Sequence, residues 1–356
     1  MDSLHQVLRQ DLSDTTRIQV LNRLARRYRN RDSTLTANYA RQALQLSNKI
    51  GDTPGMAYAY YHLARTYRAF GYQQDALDHH ILARSLFEMA NLADKKAHAC
   101  TQLGLIYRSQ GNLRQAFRYF QEALDIGKTL GDEIIEATAL SNLGITHASS
   151  GNYEQAEVHY QQALPLRKSR ADSSAIATLY NNLGNAYKNQ GNYPKALTYY
   201  LDALNIRQIQ QDSSGTSSVY INLSTIYLRQ GDYDQALEYL QRALAIREEL
   251  NEQAGLAIVF NNIGEIRRLQ GSLLEALEYF QYALITRQDI GDQQGIAACY
   301  LNIGTTQQML GDYTSAEATL RTAGEIAESM GYNRLMCSIQ IELGKVYYFR
   351  KRYTTA

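Results

Sequence analysis

Six asparagines, Asn22, Asn142, Asn182, Asn222, Asn262 and Asn302, stand 40 residues apart or at multiples of 40, and His62, Gln102 and Glu342 fill the remaining places of the series. A primary amide donates and accepts at once. A row of amides can therefore pair with the C=O and N–H groups of an extended peptide whatever its side chains. At about 0.5–1.5 kcal/mol net per bond, four or five rungs would contribute several kcal/mol before ordering costs. The same amides could instead bond to neighbouring repeats and brace the chain. Asn is only a modest helix former and competes for local hydrogen bonds, so six of them at one position in a helix need a reason beyond helix formation.

Other candidate chemistry fails in context. Gly127-Lys128-Thr129 matches the tail of a phosphate-binding loop, but Glu122 stands where that loop needs its earlier glycine. His79 and His80 are adjacent, so on a helix their side chains diverge by about 100°, unlike the i, i+4 pair of a zinc site. His62 and His98 could approach across neighbouring repeats without an evident third ligand. No Cys-His pair, serine elbow or glycine-rich phosphate cradle emerges. Asn222-Leu-Ser has the form of a glycosylation acceptor in mid-helix and is discounted. The reading is non-enzymatic, with no catalytic residue, metal or cofactor.

The elements that must carry these residues are legible in the glycines. Gly71, Gly111, Gly151, Gly191, Gly231, Gly271 and Gly311 are spaced by 40 without a slip, the mark of a repeat solenoid. A second series, Gly104, Gly144, Gly184, Gly264, Gly304 and Gly344, is completed by Ala64 and Ser224 and predicts close helix packing. Gly51, Gly131, Gly291 and Gly331, with Gly55, Gly215, Gly255 and Gly295, keep the same period, leaving only Gly127 and Gly324 outside it. Each unit reads as two helices. Leu179, Leu183, Ala186 and Tyr187 mark the first, Gly191-Asn192 a turn, and Ala196, Leu197, Tyr200, Ala203 and Leu204 the second. Asp52, Asp132, Asp172, Asp212 and Asp292 are placed to cap the following helices. Arg167, Arg207, Arg247 and Arg287 recur near the ends of second helices, where a cation suits the helix dipole. Pro165 should loosen the turn around Gln161.

The 356 residues carry 36 basic and 35 acidic side chains, a net charge of +1, which gives no support for nucleic-acid binding. No run approaches a membrane span, so no direct membrane insertion is expected. Cys100, Cys299 and Cys337 read as reduced core thiols.

Leu183-Gly184, Tyr187, Gly191, Tyr193, Ala196, Tyr200 and Ala203 together resemble the tetratricopeptide repeat (TPR) signature. The period is 40 rather than the usual 34, as in kinesin light chains, Pins-type adaptors and bacterial signalling TPR regions. The resemblance implies an all-α fold, an α-solenoid of antiparallel helix pairs forming a right-handed superhelix. Residues 1–12 would be an N-terminal capping helix bearing Leu4, Val7 and Leu8. Residues 13–356 would form eight complete helix pairs and the first helix of a ninth. Tyr353 to Ala356 would begin a second helix, leaving Leu343, Val346 and Tyr347 without their partner, which reads as a truncated C-terminus.

The resemblance further implies a concave groove faced by the asparagine series. Other groove positions carried over include Arg29, His62, Arg65, Arg68, His98 and Arg108 early in the chain, then Asn181, Asn185, Lys188, Asn189 and Arg229. The last third mixes Glu265 and Arg268 with Leu269, Leu301, Met309 and Ile341. A ligand acidic at one end and apolar at the other is the expectation. The family's carboxylate clamp of paired Lys and Arg with Asn is not reproduced in consecutive repeats. The leading reading is a module that binds an extended peptide or protein segment. The alternatives are a sensory region of a larger signalling enzyme, a histidine kinase or nucleotide cyclase, and a scaffold self-associating through its C-terminal helix. Compartment stays open with a lean to the cytoplasm; an upstream signal or membrane segment would place the module outside.

Overall fold

The computed structural model describes residues 2–8, 10–29 and 31–354, with the side chains of 2, 3 and 351–354 outside the description. Among the described residues there are eighteen helices and no strand. The chain divides into two compact units, Met1–Gln190 and Gly191–Ala356. The first holds α1 (Asp2–Leu8), α2 (Asp14–Tyr28), α3 (Ser33–Ile50), α4 (Thr53–Ala69), α5 (Gln73–Met89), α6 (Ala93–Ser109), α7 (Leu113–Leu130), α8 (Glu133–Ser149), α9 (Tyr153–Lys168) and α10 (Ser173–Asn189). The second holds α11 (Tyr193–Ile209), α12 (Ser213–Gln230), α13 (Tyr233–Glu249), α14 (Gln253–Leu269), α15 (Leu273–Asp289), α16 (Gln293–Met309), α17 (Tyr313–Ser329) and α18 (Asn333–Thr354). From α2 onward the even-numbered helices are A helices and the odd-numbered are B helices. Within each unit every A helix packs on the B helices before and after it, and several A helices also touch the next A helix. The fold is an α-solenoid of antiparallel helix pairs.

Local chemistry sets the boundaries. The seven glycines spaced by 40 after the A helices all take φ between +76° and +84°, the left-handed conformation that ends a helix cheaply only at glycine. The turns after the B helices need the same conformation. Gly51, Gly131, Gly291 and Gly331 supply it at four of them, while Asn91, Ala171, Gln211 and Asn251 adopt it with φ of 50–55°. Asp52, Asp132, Asp172, Asp212 and Asp292 each accept from backbone N–H groups of the helix they precede, at 2.9–3.2 Å. The helix α9 runs on through Pro165 and ends three residues later, so the lost bond falls in its last turn.

The second glycine series lets A and B helices meet. A Cβ on Gly104 would lie 2.5 Å from the Phe120 ring, and one on Gly264 would lie 2.8 Å from Phe280. Burying those rings against bare backbone is how each pair closes. Gly127 belongs to a related exchange of bulk. It stands where later repeats have Arg167, Arg207, Arg247 and Arg287, and Ile135 fills the space, 3.0 Å from where a Cβ would be. In those later repeats the bulk is on the other side: an added Cβ at Gly215 or Gly255 would meet Arg207 or Arg247 at 2.7 or 2.5 Å.

At the C-terminal end three expectations change. The helix α18 continues to Thr354 without the turn expected before Tyr353, because Lys351 occupies the place held by glycine in the seven preceding turns. Leu343 and Val346 are buried against Ala316, Leu320 and Ala323, so they have a partner; Ile341 and Tyr347 are the exposed ones. Cys337 is exposed, whereas Cys100 and Cys299 are buried thiols. Its counterparts Ala257 and Ala297 are buried, and no helix following α18 stands over Cys337 among the described residues. Among the described residues no helix is long and apolar enough to cross a membrane.

Candidate functional site

The amide series falls in mid-helix on the A helices, two residues before each close-packing position. Its members are not equivalent. Asn22 is 7% exposed, donates from Nδ2 to the Gly55 carbonyl of α4 at 3.2 Å, and keeps its buried Oδ1 without a partner. Asn142 donates to the Thr138 carbonyl at 2.9 Å and accepts from Arg108 Nη1 at 3.2 Å. Arg68 makes the same contact with Gln102 Oε1 at 3.2 Å. A cation near the end of one A helix thus reaches the amide of the next. In the second unit, Asn302 donates to Asn261 Oδ1 at 2.8 Å. Asn182 and Asn262 are half-buried and make no side-chain hydrogen bond among the described residues; Asn222 is half-buried as well.

Asn182 and Asn185 line one shallow cavity of about 240 Å³ with Ile145, Ser149, Tyr160 and Asn189. Lys188 and Arg268 are half-buried on the same helical face and Arg229 is exposed. Leu269, Met309 and Ile341 are each at least half exposed, whereas Leu301 is half-buried against the core of the last helices.

The early cations gather more tightly than their spacing indicates. Arg26 of α2 and Arg29 just after it, Tyr58, Tyr61, His62 and Arg65 from α4, Phe87 from α5, and Lys95, His98 and Gln102 from α6 line a cavity of about 290 Å³. His62 and His98 line it together from neighbouring repeats. Burial and the nearby Arg29, Arg65 and Arg26 lower the His62 pKa to about 3, so it is neutral at physiological pH. Burial and Arg65 also lower that of Arg29. Arg26, Lys95, Tyr58 and Tyr61 escaped the sequence reading. Two breaks in the period marked the place: Arg26 stands where later A helices have Ile226, Ile266 or Thr306, and Lys95 where they have Gly215, Gly255 and Gly295.

The other arginine series is structural. Arg167, Arg207 and Arg287 pair with Asp172, Asp212 and Asp292 at 3.1, 2.7 and 3.3 Å, each linking a B helix to the cap of the next A helix. Arg247 pairs likewise with Glu252 and reaches Ser214 and Ser218 of the preceding A helix. Sequence reading also missed an ion cluster in the first unit. Arg84 bonds Glu122 at 2.5 Å, and Lys96 joins Glu122 at 3.1 Å and Glu88 at 2.7 Å.

Antiparallel helix pairs in register, with amides and cations repeated along one face, define a helical-repeat scaffold. The chain belongs to the tetratricopeptide repeat family, whose model matches residues 97–169, 175–249 and 255–329, more than half its length. No curated protein sequence matches it. Among solved structures, it is similar to the apo form of the quorum sensor NprR from B. thuringiensis, at 14% identity and a TM-score of 0.75, over 91% of each chain. A Rap protein complexed with Competence and Sporulation Factor superposes with a TM-score of 0.59 at 16% identity, over 97% of this chain and 89% of that one. The STAND protein with a tetratricopeptide repeat sensor, PH0952 from Pyrococcus horikoshii, gives 0.62 at 18% identity, over 93% of this chain and 50% of that one. At these identities the likeness is one of fold.

Proposed function

We propose that this protein is a non-enzymatic interaction module whose A-helix face binds an extended peptide or protein segment. The observation that carries the reading is the pair Asn182 and Asn262, half-buried on that face with amides that no described side chain or backbone group engages. A partly exposed amide with no protein partner keeps its donor and acceptor available to a peptide backbone. Asn222, Asn185, Lys188, Arg229 and Arg268 would flank the bound segment. In the first unit Arg65, Arg68 and Arg108 favour acidic ligand residues; in the second Leu269, Met309 and Ile341 favour apolar ones. Asn22, Asn142 and Asn302 would contribute less, having bonds of their own.

The test uses the wild type and the Asn182→Ala, Asn222→Ala, Asn262→Ala triple variant as matched baits, after circular dichroism shows both equally helical. Partners retained by the wild type and lost by the folded variant support the face. Equal retention sinks it.

A second reading, that the chain is the regulatory part of a larger signalling protein, is favoured by its fit to half of a protein described as carrying such a repeat as its sensor. A full-length reading frame with a kinase, cyclase or ATPase region would decide for it. Self-association through the exposed Ile341 and Tyr347 of α18 predicts a mass that rises with concentration and falls in an Ile341→Asp variant.

A further inference from the structure

We propose that the cavity between α2, α4 and α6 is an anion pocket for a phosphate monoester. The inference rests on the reading of the A-helix face as a binding surface, since His62 and Gln102 occupy amide-series positions, and it adds the chemistry of one subsite. Arg26, Arg29, Arg65 and Lys95 converge from three helices, and no carboxylate is among the lining residues. Elsewhere several half-buried arginines are neutralised internally, as Arg84 is by Glu122 and Arg207 by Asp212. Arg26 and Arg65 make no ion pair or side-chain hydrogen bond among the described residues. Lys95 does, to Asp94 at 2.6 Å, which cancels one charge and leaves the guanidinium groups of Arg26 and Arg65 uncompensated.

His62 supplies an independent sign. It is 4% exposed, its Nδ1 has no partner, and it lines both this cavity and an adjoining one of about 480 Å³. A buried polar atom left unbonded is costly, and an oxyanion offers it an acceptor. Several guanidinium groups ask for more than the single charge of a carboxylate. A phosphate monoester brings about −1.5 to −2 and three acceptor oxygens, which arginine forks match in pairs. The walls are aromatic as well: Tyr58 and Tyr61 meet Phe87 with ring centroids 5.2 and 6.1 Å apart. At about 290 Å³ the space is near the lower limit for small-molecule pockets and suits a phosphoryl group with the ring or stem that carries it.

The experiment titrates the full chain with inorganic phosphate, phenyl phosphate, and a phosphoserine peptide beside its unphosphorylated form. Binding of at least one phosphorylated probe at about 1 mM or tighter is expected, weakened about tenfold or more in Arg26→Gln/Arg65→Gln and unchanged in Arg114→Gln on the outer face of α7. Lys95→Gln is the second variant, should the double one melt early, and is expected to weaken binding in the same direction. Binding of the two small probes assigns a free phosphate ester; binding of the phosphopeptide alone, with the same sensitivity, assigns a phosphorylated partner. No binding by any probe, or equal binding by all variants, overturns the proposal. Equal retention of captured partners by the asparagine variant with phosphate binding intact would remove the peptide face and leave the pocket. The reverse would remove the pocket alone.

Discussion

The stretch from α2 to α8 and the second unit are built from the same repeat, yet they use the same residue types in opposite ways. In the early repeats, amides are tied inward, Asn22 to Gly55 and Asn142 to Arg108, while Arg26 and Arg65 stand unpaired around a cavity. In the second unit the B-helix arginines are tied inward, Arg247 to Glu252 and Arg287 to Asp292, while the Asn262 amide is left unbonded. Residue type alone therefore does not say what an arginine or asparagine does. Its position within the repeat, and what the next repeat puts opposite, decides.

The largest effect that could break this contrast concerns the arginines. Arg247→Ala removes a side chain only 6% exposed, together with its bonds to Glu252, Ser214 and Ser218, and should cost about 2–3 kcal/mol in urea denaturation. Arg68→Ala, on the exposed face, should change stability by less than about 0.5 kcal/mol. Similar costs for both would erase the distinction.

Acid should separate the two regions next. All seven histidines precede Gly191, and burial lowers both His62 and His80 to about 3. Below the unfolded value near 6.5 the unfolded chain binds protons that the folded one refuses, so stability is full above about pH 6.5 and declines as pH falls toward 3. Each histidine contributes roughly 1.4 kcal/mol per pH unit across that window, or roughly 2 kcal/mol at pH 5. Hydrogen-exchange protection at pH 5, relative to the intrinsic rate at that pH, should fall in α4 and α5 and not in α12 to α15. His80→Phe, which copies Phe120 and Phe280 at the equivalent place, should recover about half of the loss.

A smaller contrast tests the packing glycines. Gly104→Ala forces a Cβ against Phe120 and should destabilise by about 1–2 kcal/mol after the helix-propensity gain. Gly344→Ala meets nothing within 4 Å and should stabilise by about 0.5–1 kcal/mol. Thermal melts of the two variants moving in the same direction would contradict the packing argument.

The helix pairs, their turns and the five aspartate caps were legible because each repeat must solve the same backbone problem, and glycine and Asp are its chemical trace. What stayed hidden depends on pairs of positions from adjacent repeats. Gly127 stood outside the period only because Ile135 had taken over the bulk that arginine supplies elsewhere. Cys337 and Val346 could not be assigned from their repeat positions alone, since exposure at the last helix depends on which neighbours are present. The cavity was half legible: Arg65 and His98 were found by position, whereas Arg26 and Lys95 were visible only as departures from it.

The contrast predicts that one repeat position braces the fold at Asn22 and is left for a ligand at Asn262. Urea denaturation of Asn22→Ala and Asn262→Ala, without ligand, tests it most directly. Asn22→Ala should cost about 1–2 kcal/mol, for the lost bond to Gly55 inside a buried seam. Asn262→Ala, losing no bond and gaining helix propensity, should be neutral or slightly stabilising. Equal destabilisation by the two would show that the series is a structural brace throughout, and would contradict the claim.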